Sequence, residues 1–432
     1  MRRFLQDPVT REKCHILKML EAQAQGLHRS FHTPGHKVGG YDITELAYSD
    51  NLSCPQGVLL AAQRDIAEIL GADVSFLLTD GSTSGVLSML YALKESGIRS
   101  VAAPVLSHKS FFNGCALFGL TPKLFETPEK ALPCPLQAQD VRQALCEADA
   151  LFLTSPDYYG NVADLQAIAS LCRAQGKPLV IDGAHGGHLH NNSKLYAGAY
   201  ADMWVDGVHK SLPALTQGAV VSAKKPFAKS LQKAVDIFRT TSPSYPIMAS
   251  VEYAVKYPLN GTLQGAVERL KKSEDCFYWN ADWTKLCLFV KDGFAAEKLL
   301  HTMGVYPEFA QENAVCFYLS PVQSEEDLKA VLACVERLKK EGLVCSEKEA
   351  QCVHAPLLLQ EIEENSIEEI PLSESEGRVS AAVCGLFPPC LPLLRKGEVI
   401  TAEKRLALQS ASNRFGVEND RIKVVAKCKE SL

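Results

Sequence analysis

The sequence predicts an α/β protein: a mostly parallel sheet flanked by helices, followed by a smaller α/β region. Three observations predict it. Short apolar runs alternate with helical patterns from about Ser75 to Ala223. The runs are apolar throughout, as strands covered on both faces are. The chain has 432 residues, enough for a large core and more than one domain.

The strand-like runs, in order, are Ser75-Phe-Leu-Leu-Thr79, Ser100-Val-Ala-Ala-Pro-Val105, Ala150-Leu-Phe-Leu-Thr154, Pro178-Leu-Val-Ile-Asp182, Met203-Trp-Val-Asp206 and Gly218-Ala-Val-Val-Ser222. Helical spacing of apolar residues lies between several of them, as in Val86–Lys94 and Leu165–Gln175. This alternation implies strands joined by crossover helices, and ligands in such sheets sit at the carboxyl ends of the strands. Phe227–Thr240 reads as a helix, broken by Thr241-Ser-Pro-Ser-Tyr-Pro246. Leu286–Val290, Ala295–Met303, Val315–Ser320 and Glu325–Lys340 then read strand, helix, strand, helix. An acidic stretch, 361–369, reads as a solvated face, and a Pro-rich segment, 387–392, follows it. The expected divisions are an N-terminal helical segment over 1–30, a major domain over 31–255, a small α/β domain over 256–345 and a C-terminal domain over 346–432.

Composition excludes several classes. With 47% apolar residues, 22% charged residues and a net charge of −5, the chain lacks the basic surplus of a nucleic-acid protein. No apolar run is long enough to span a bilayer, and the opening Met1-Arg-Arg-Phe-Leu-Gln-Asp7 has no leader pattern. Fifteen scattered cysteines without a CxxC pair read as reduced, mostly buried thiols, so a cytoplasmic protein is expected.

Four features stand at the carboxyl ends of predicted strands. Asp80-Gly-Ser-Thr-Ser-Gly85 lies between a strand and a helix, where the N–H groups and hydroxyls of Ser82, Thr83 and Ser84 form a site for phosphate. Alone, a Ser/Thr-rich helix cap looks the same. His108, in Ser107-His-Lys-Ser110, could stack on a planar ring, although by itself it reads more readily as a surface turn histidine. Asp182 is a carboxylate at a buried strand end and needs a partner, either a protonated heterocyclic nitrogen or a cap or ion pair. His185, His188 and His190 follow it in a spacing that matches no zinc signature, so no metal is expected. Lys210 lies one strand later. A lysine amine is nucleophilic only when unprotonated, and burial near another cation lowers its pKa. A phosphate cradle, a ring-stacking histidine, an aspartate and a lysine, in that order, together meet the needs of pyridoxal 5'-phosphate (PLP), whose ring acts as an electron sink when its nitrogen stays protonated.

The chain resembles the ornithine/lysine/arginine decarboxylases of the aspartate-aminotransferase-like fold type I, in their shorter bacterial form. The resemblance runs almost end to end. It rests on Phe31-His-Thr-Pro-Gly-His-Lys37, Asp42-Ile-Thr-Glu45, the serine/threonine cradle, His108-Lys-Ser110 and Ser155-Pro-Asp-Tyr-Tyr-Gly160. It continues through Asp182 with Ala184-His185-Gly186, His209-Lys-Ser-Leu-Pro-Ala-Leu-Thr-Gln217, Thr240-Thr-Ser-Pro-Ser-Tyr245 and a C-terminal Glu376-Gly-Arg378. The resemblance implies a PLP-binding major domain and a decarboxylase acting on arginine, lysine or ornithine to release CO2 and a polyamine precursor. Lys210 is then the lysine that binds the cofactor's aldehyde, Asp182 the partner of the pyridine nitrogen and His108 the stacking residue. Ser82, Thr83 and Ser84 hold the phosphate, and His185 and His209 flank the site. The Thr240–Pro243 segment, with Thr241, serves the neighbouring subunit's site, which implies a homodimer or larger assembly. Glu308, in Gly304-Val-Tyr-Pro-Glu308, is either the partner of the substrate's distal cation or an exposed loop glutamate.

The sequence departs from the family's pattern at three places near the site. Gly207 stands where a phosphate-binding serine is usual, Gly183 where a glutamate is common, and Asp80 where an asparagine opens the cradle. Two alternatives stay open: another PLP enzyme of the same fold, such as an aminotransferase or carbon–sulfur lyase, and a non-catalytic paralogue that binds cofactor.

Overall fold

The computed structural model describes residues 5–25, 29–38, 40–350, 367–386, 392–394, 396–411 and 413–426. The acidic stretch over 361–366 and the Pro-rich 387–391 lie outside the described residues. The chain forms two compact units, one comprising Met1–Val105 with Ser110–Ala350 and the other Leu106–Lys109 with Gln351–Leu432.

In the first unit, seven strands form the main sheet: β1 (Val74–Leu78), β2 (Ser100–Pro104), β3 (Thr121–Phe125), β4 (Ala150–Thr154), β5 (Leu179–Asp182), β6 (Met203–Asp206) and β7 (Ala219–Ala223). Their order is β1-β7-β6-β5-β4-β2-β3. All run parallel except β7, which lies antiparallel between β1 and β6. The carboxyl ends of the six parallel strands therefore share one edge of the sheet. Successive side chains on a strand point to opposite faces, and both faces are buried here. Leu151 and Leu153 of β4, with Trp204 of β6, enter one core. Ala150 and Phe152, with Met203 and Val205, enter the other. That double burial is why the runs show no apolar–polar alternation in sequence.

Six of the seven strands match predicted runs within a residue or two. The exception, β3, is an edge strand reading Thr-Pro-Lys-Leu-Phe, with its first two residues exposed. Edge strands tolerate proline and lysine because one side of the ladder needs no partner, and this composition hides the strand from an apolar-run criterion.

The smaller α/β part of this unit has β8 (Lys285–Phe289), β9 (Phe309–Gln311) and β10 (Ala314–Tyr318) in an antiparallel sheet ordered β8-β10-β9. Helices Gly293–Thr302 and Glu325–Lys340 pack on it around Leu286, Leu288, Val315 and Phe317. The last helix matches its predicted bounds because a capping box, Ser324 with Asp327, marks its start and a Lys/Arg-rich turn its end. The second unit holds short antiparallel strands and the Ala402–Ser410 helix around Leu372, Leu394, Ile400, Leu408 and Ile422.

Candidate active site

Two strand-end turns form the centre of the site. After β5, Asp182 leads into Gly183-Ala-His185; after β6, Gly207 leads into the short Val208–Ser211 helix that carries Lys210. The turns touch closely. A Cβ built on Gly207 would stand 2.5 Å from the Ala184 carbonyl oxygen, and one on Gly183 would stand 3.0 Å from the Val205 carbonyl oxygen. The serine usual at position 207 is therefore sterically excluded by this chain's own backbone. Replacing Gly207 by alanine is expected to cost about 1–3 kcal/mol through forced displacement of the Ala184 turn, read as a lower denaturant midpoint. An unchanged midpoint would show that the turn gives way freely.

The close approach brings Lys210 and His185 together, with Nζ 3.1 Å from Nε2. The His185 ring is buried, 4.8 Å from the ring of Tyr158 and edge-on to Tyr318 at 5.5 Å. Asp182 is 4% exposed and accepts a hydrogen bond from the Ala184 N–H at 3.1 Å. Burial pushes its carboxyl up, while the Lys210 ammonium and the Ala184 N–H pull down without cancelling the rise. Such a carboxylate has lost its water and gained incomplete compensation, so it favours a further cationic or N–H donor. Asp182 and Lys210 thus act electrostatically on one another at the same sheet edge.

His209 points back to the sheet. Its Nδ1 donates to the Gly218 carbonyl at 3.0 Å, which fixes the proton on Nδ1. Burial pushes its pKa down, assisted by Lys210 and opposed by the Gly218 hydrogen bond. The backbone around Gln217 and Gly218 also ties the cradle to the lysine. The Gly81 N–H donates to the Gln217 carbonyl at 2.9 Å, and the His209 N–H to the Gly218 carbonyl at 3.1 Å.

The cradle is the N-terminus of the Ser82–Glu95 helix. Gly81 precedes it at φ +85°, a conformation suited to glycine, and contributes no side-chain cap. The first N–H groups of the helix are consequently left for another acceptor. The Ser84 hydroxyl is not: it donates within 2.9 Å of both Asp80 Oδ1 and the Gly81 carbonyl. Ser84 thus contributes only its N–H, whereas Ser82 is half-buried and Thr83 exposed.

The remaining predicted residues stand on other elements. His108 is half-buried, between β2 and the Lys109–Phe118 helix, in the segment that groups with the second unit. Thr241 is exposed. Glu308 is also exposed; its N–H donates to Cys316 as the chain enters β9. The three clustered histidines diverge: His185 meets Lys210, His188 meets Asp282, and His190 donates to the Gly187 carbonyl. Among the described residues, His15, Asp65 and Glu252 bring three potential metal donors together. The Lys256 ammonium bridges both of those carboxylates, at 2.7 and 2.8 Å.

One carboxylate of the site is absent from the sequence-based list. Asp206 ends β6 as Asp182 ends β5, after the same pattern of three apolar residues, and that repetition is the signal that marks it. It is 1% exposed. Its Oδ2 accepts from the Tyr196 hydroxyl at 2.6 Å, and that hydroxyl accepts from Trp204 Nε1 at 2.9 Å. Its Oδ1 is buried without a hydrogen bond. Burial outweighs the Tyr196 and Trp204 hydrogen bonds and, with the nearby Asp182, pushes the Asp206 pKa up to about 7.

Comparison with solved structures identifies the architecture. The constitutive lysine decarboxylase of E. coli superposes with a TM-score of 0.69 at 18% identity, over 95% of this chain and 81% of that chain. An SPT structure carrying PLP superposes with a TM-score of 0.55 at 13% identity, over 78% of this chain and 85% of that one. Together with the sheet order, these show the fold type I α/β architecture. Residues 40–276, more than half of the chain, match the family described as Orn/Lys/Arg decarboxylase, major domain. The chain belongs to that family and is a decarboxylase. The uncharacterised protein YaaO of Bacillus subtilis (strain 168) is 29% identical, over 90% of this chain and 92% of its own length. An arginine decarboxylase of the same organism is 27% identical, over 86% of this chain and 88% of its own.

Proposed function

We propose that the protein is a PLP-dependent decarboxylase of a basic amino acid, arginine, lysine or ornithine. The observation that carries the reading is the joining of Lys210, His185 and buried Asp182 at the carboxyl ends of adjacent parallel strands. Family membership and the fold support it.

The residues fit the cofactor. The uncapped helix start at Ser82 and Thr83 suits its phosphate, undercompensated Asp182 suits its protonated ring nitrogen, and Lys210 suits its aldehyde. When bound, the cofactor supplies a ring that accepts the electron pair left behind as CO2 departs. The chain supplies everything around that event. Asp182, 4% exposed, would hold a proton on the ring nitrogen through a charge-assisted hydrogen bond. Lys210 would hold the aldehyde, and its amine, 3.1 Å from His185 Nε2, is the group placed to carry a proton for the substrate's Cα. His209 is committed to Gly218 through Nδ1 and is kept neutral by burial, which makes it a poorer donor than Lys210. We assign Glu308 to the substrate's distal cation and His108 to the ring face, and we propose that a second copy of the chain supplies Thr241 to complete the site.

Incubating the full chain and PLP separately with arginine, lysine and ornithine, and reading CO2 and amine mass, tests the reading. Release of CO2 with one of agmatine, cadaverine or putrescine is expected. Cofactor-dependent absorbance without CO2 from any of the three would overturn it.

A further inference from the structure

Behind His185 lies a set of fully buried charged groups that the mechanism above does not use. Lys285, the first residue of β8, and Asp282 are both 0% exposed, and His188 is 1% exposed. Lys285 Nζ stands 3.2 Å from Asp282 Oδ2, and His188 Nε2 stands 2.8 Å from Asp282 Oδ1. The Thr284 hydroxyl joins them, accepting from Lys285 at 2.8 Å and donating to Asp282 at 2.7 Å. Burial alone would raise the Asp282 carboxyl. His188 and Lys285, with the hydrogen bonds from His188 and Thr284, overcome it and hold the group far below the usual carboxylate range. Lys271, from the Gly261–Ser273 helix, donates to the Asp282 carbonyl at 2.8 Å.

Ions are not buried cheaply, and a fully apolar set of the same volume is often at least as stable. The arrangement points outward to a task. Lys285 Nζ reaches the His185 carbonyl at 3.4 Å and lies over the Tyr318 ring, 4.5 Å from its centroid. Tyr318 in turn presents its ring edge-on to His185 and donates its hydroxyl to the Tyr158 carbonyl at 2.8 Å. The ammonium therefore bears on both the backbone and the ring environment of the residue that touches Lys210.

We propose that Lys285, anchored by Asp282 and His188, is a positioning residue for Lys210, acting through His185 from the smaller α/β part of the unit. The proposal rests on the reading of Lys210 as the working amine. The ammonium holds the His185 turn in place, and with it the imidazole that contacts the Lys210 amine. A correctly placed amine reacts faster.

Labelling of the full chain, without cofactor, by formaldehyde and a borohydride reductant reads the Lys210 amine directly, by mass of its peptide. In Lys285→Met, Lys210 is expected to label roughly three- to tenfold more slowly than in wild type, while exposed lysines such as Lys329 label at the same rate. Lys285→Arg is expected to restore part of the rate. Thr284→Val preserves shape and the ion pair, and serves where Lys285→Met does not fold; a smaller slowing in the same direction is expected. Wild-type labelling of Lys210 in either folded variant would overturn the proposal. Because formaldehyde requires no PLP, failure of the cofactor reading leaves this outcome legible.

Discussion

Lys210→Ala is expected to reduce CO2 release from the preferred basic amino acid by about a thousandfold or more, and to abolish the absorbance of enzyme-bound PLP. The protein should remain folded. Lys210 is only half-buried, in a four-residue helix after β6, and the turns around it are held by backbone hydrogen bonds from Lys210 to Gly207 and from His209 to Gly218. The substitution leaves Asp182 without the cation that opposes its burial, so its carboxyl should rise further. Absorbance titration with PLP, together with a CO2 assay and a thermal melt, separates the roles. Loss of both signals with an unchanged melt identifies a catalytic residue. Retained CO2 release would remove Lys210 from the chemistry and with it the proposed function.

Asp206→Asn is expected to change how stability depends on pH. The folded-state pKa of Asp206 is raised from 3.8 to about 7. The folded protein therefore keeps this proton where the unfolded chain has lost it. Its contribution is fully present below about pH 4 and is lost as pH rises through about 7. The shift corresponds to at most about 4 kcal/mol. Asparagine cannot ionise, and its side-chain oxygen can still accept from Tyr196. The variant should therefore gain on wild type by about 2–4 kcal/mol between pH 5 and pH 8. Denaturant unfolding of both proteins across that range reads the difference, which cancels contributions from other acids such as the half-buried Asp157, itself pushed up to about 6 mainly by desolvation. A constant gap between the two proteins would mean that Asp206 is ionised in the folded state throughout.

The sheet was legible because its strands are buried on both faces and announce themselves as unbroken apolar runs. The strand-end position of Asp182 and Lys210 followed from the same runs, since a polar residue closing such a run must lie at the sheet edge. What composition could not convey was contact between distant segments. The Lys210–His185 pair depends on how closely two glycine-containing turns approach. Lys285 opens an apolar strand and carries no motif, so its salt bridge to Asp282 and its reach to His185 are visible only in three dimensions. Asp80 posed a concern in sequence, as an anion at a phosphate cradle. The structure turns one of its oxygens toward the Ser84 hydroxyl, which spends that hydroxyl locally.

The antiparallel β7 has a consequence for how the molecule is made. β1 sits at the edge of the main sheet with β7 as its neighbour there, paired from Val74 with Ala223 to Leu78 with Ala219. During synthesis β1 therefore leaves the ribosome long before its partner, and waits unpaired while the intervening helices and strands emerge. Long-range pairings of this kind are slow to form and leave strand edges open to other chains in the meantime. In the finished sheet β7 fills the gap between β1 and β6, and the Gln217–Gly218 segment that leads into it bonds both Gly81 of the cradle and His209 of the lysine-bearing turn, so these two parts of the site are joined only after the sheet's last strand is made.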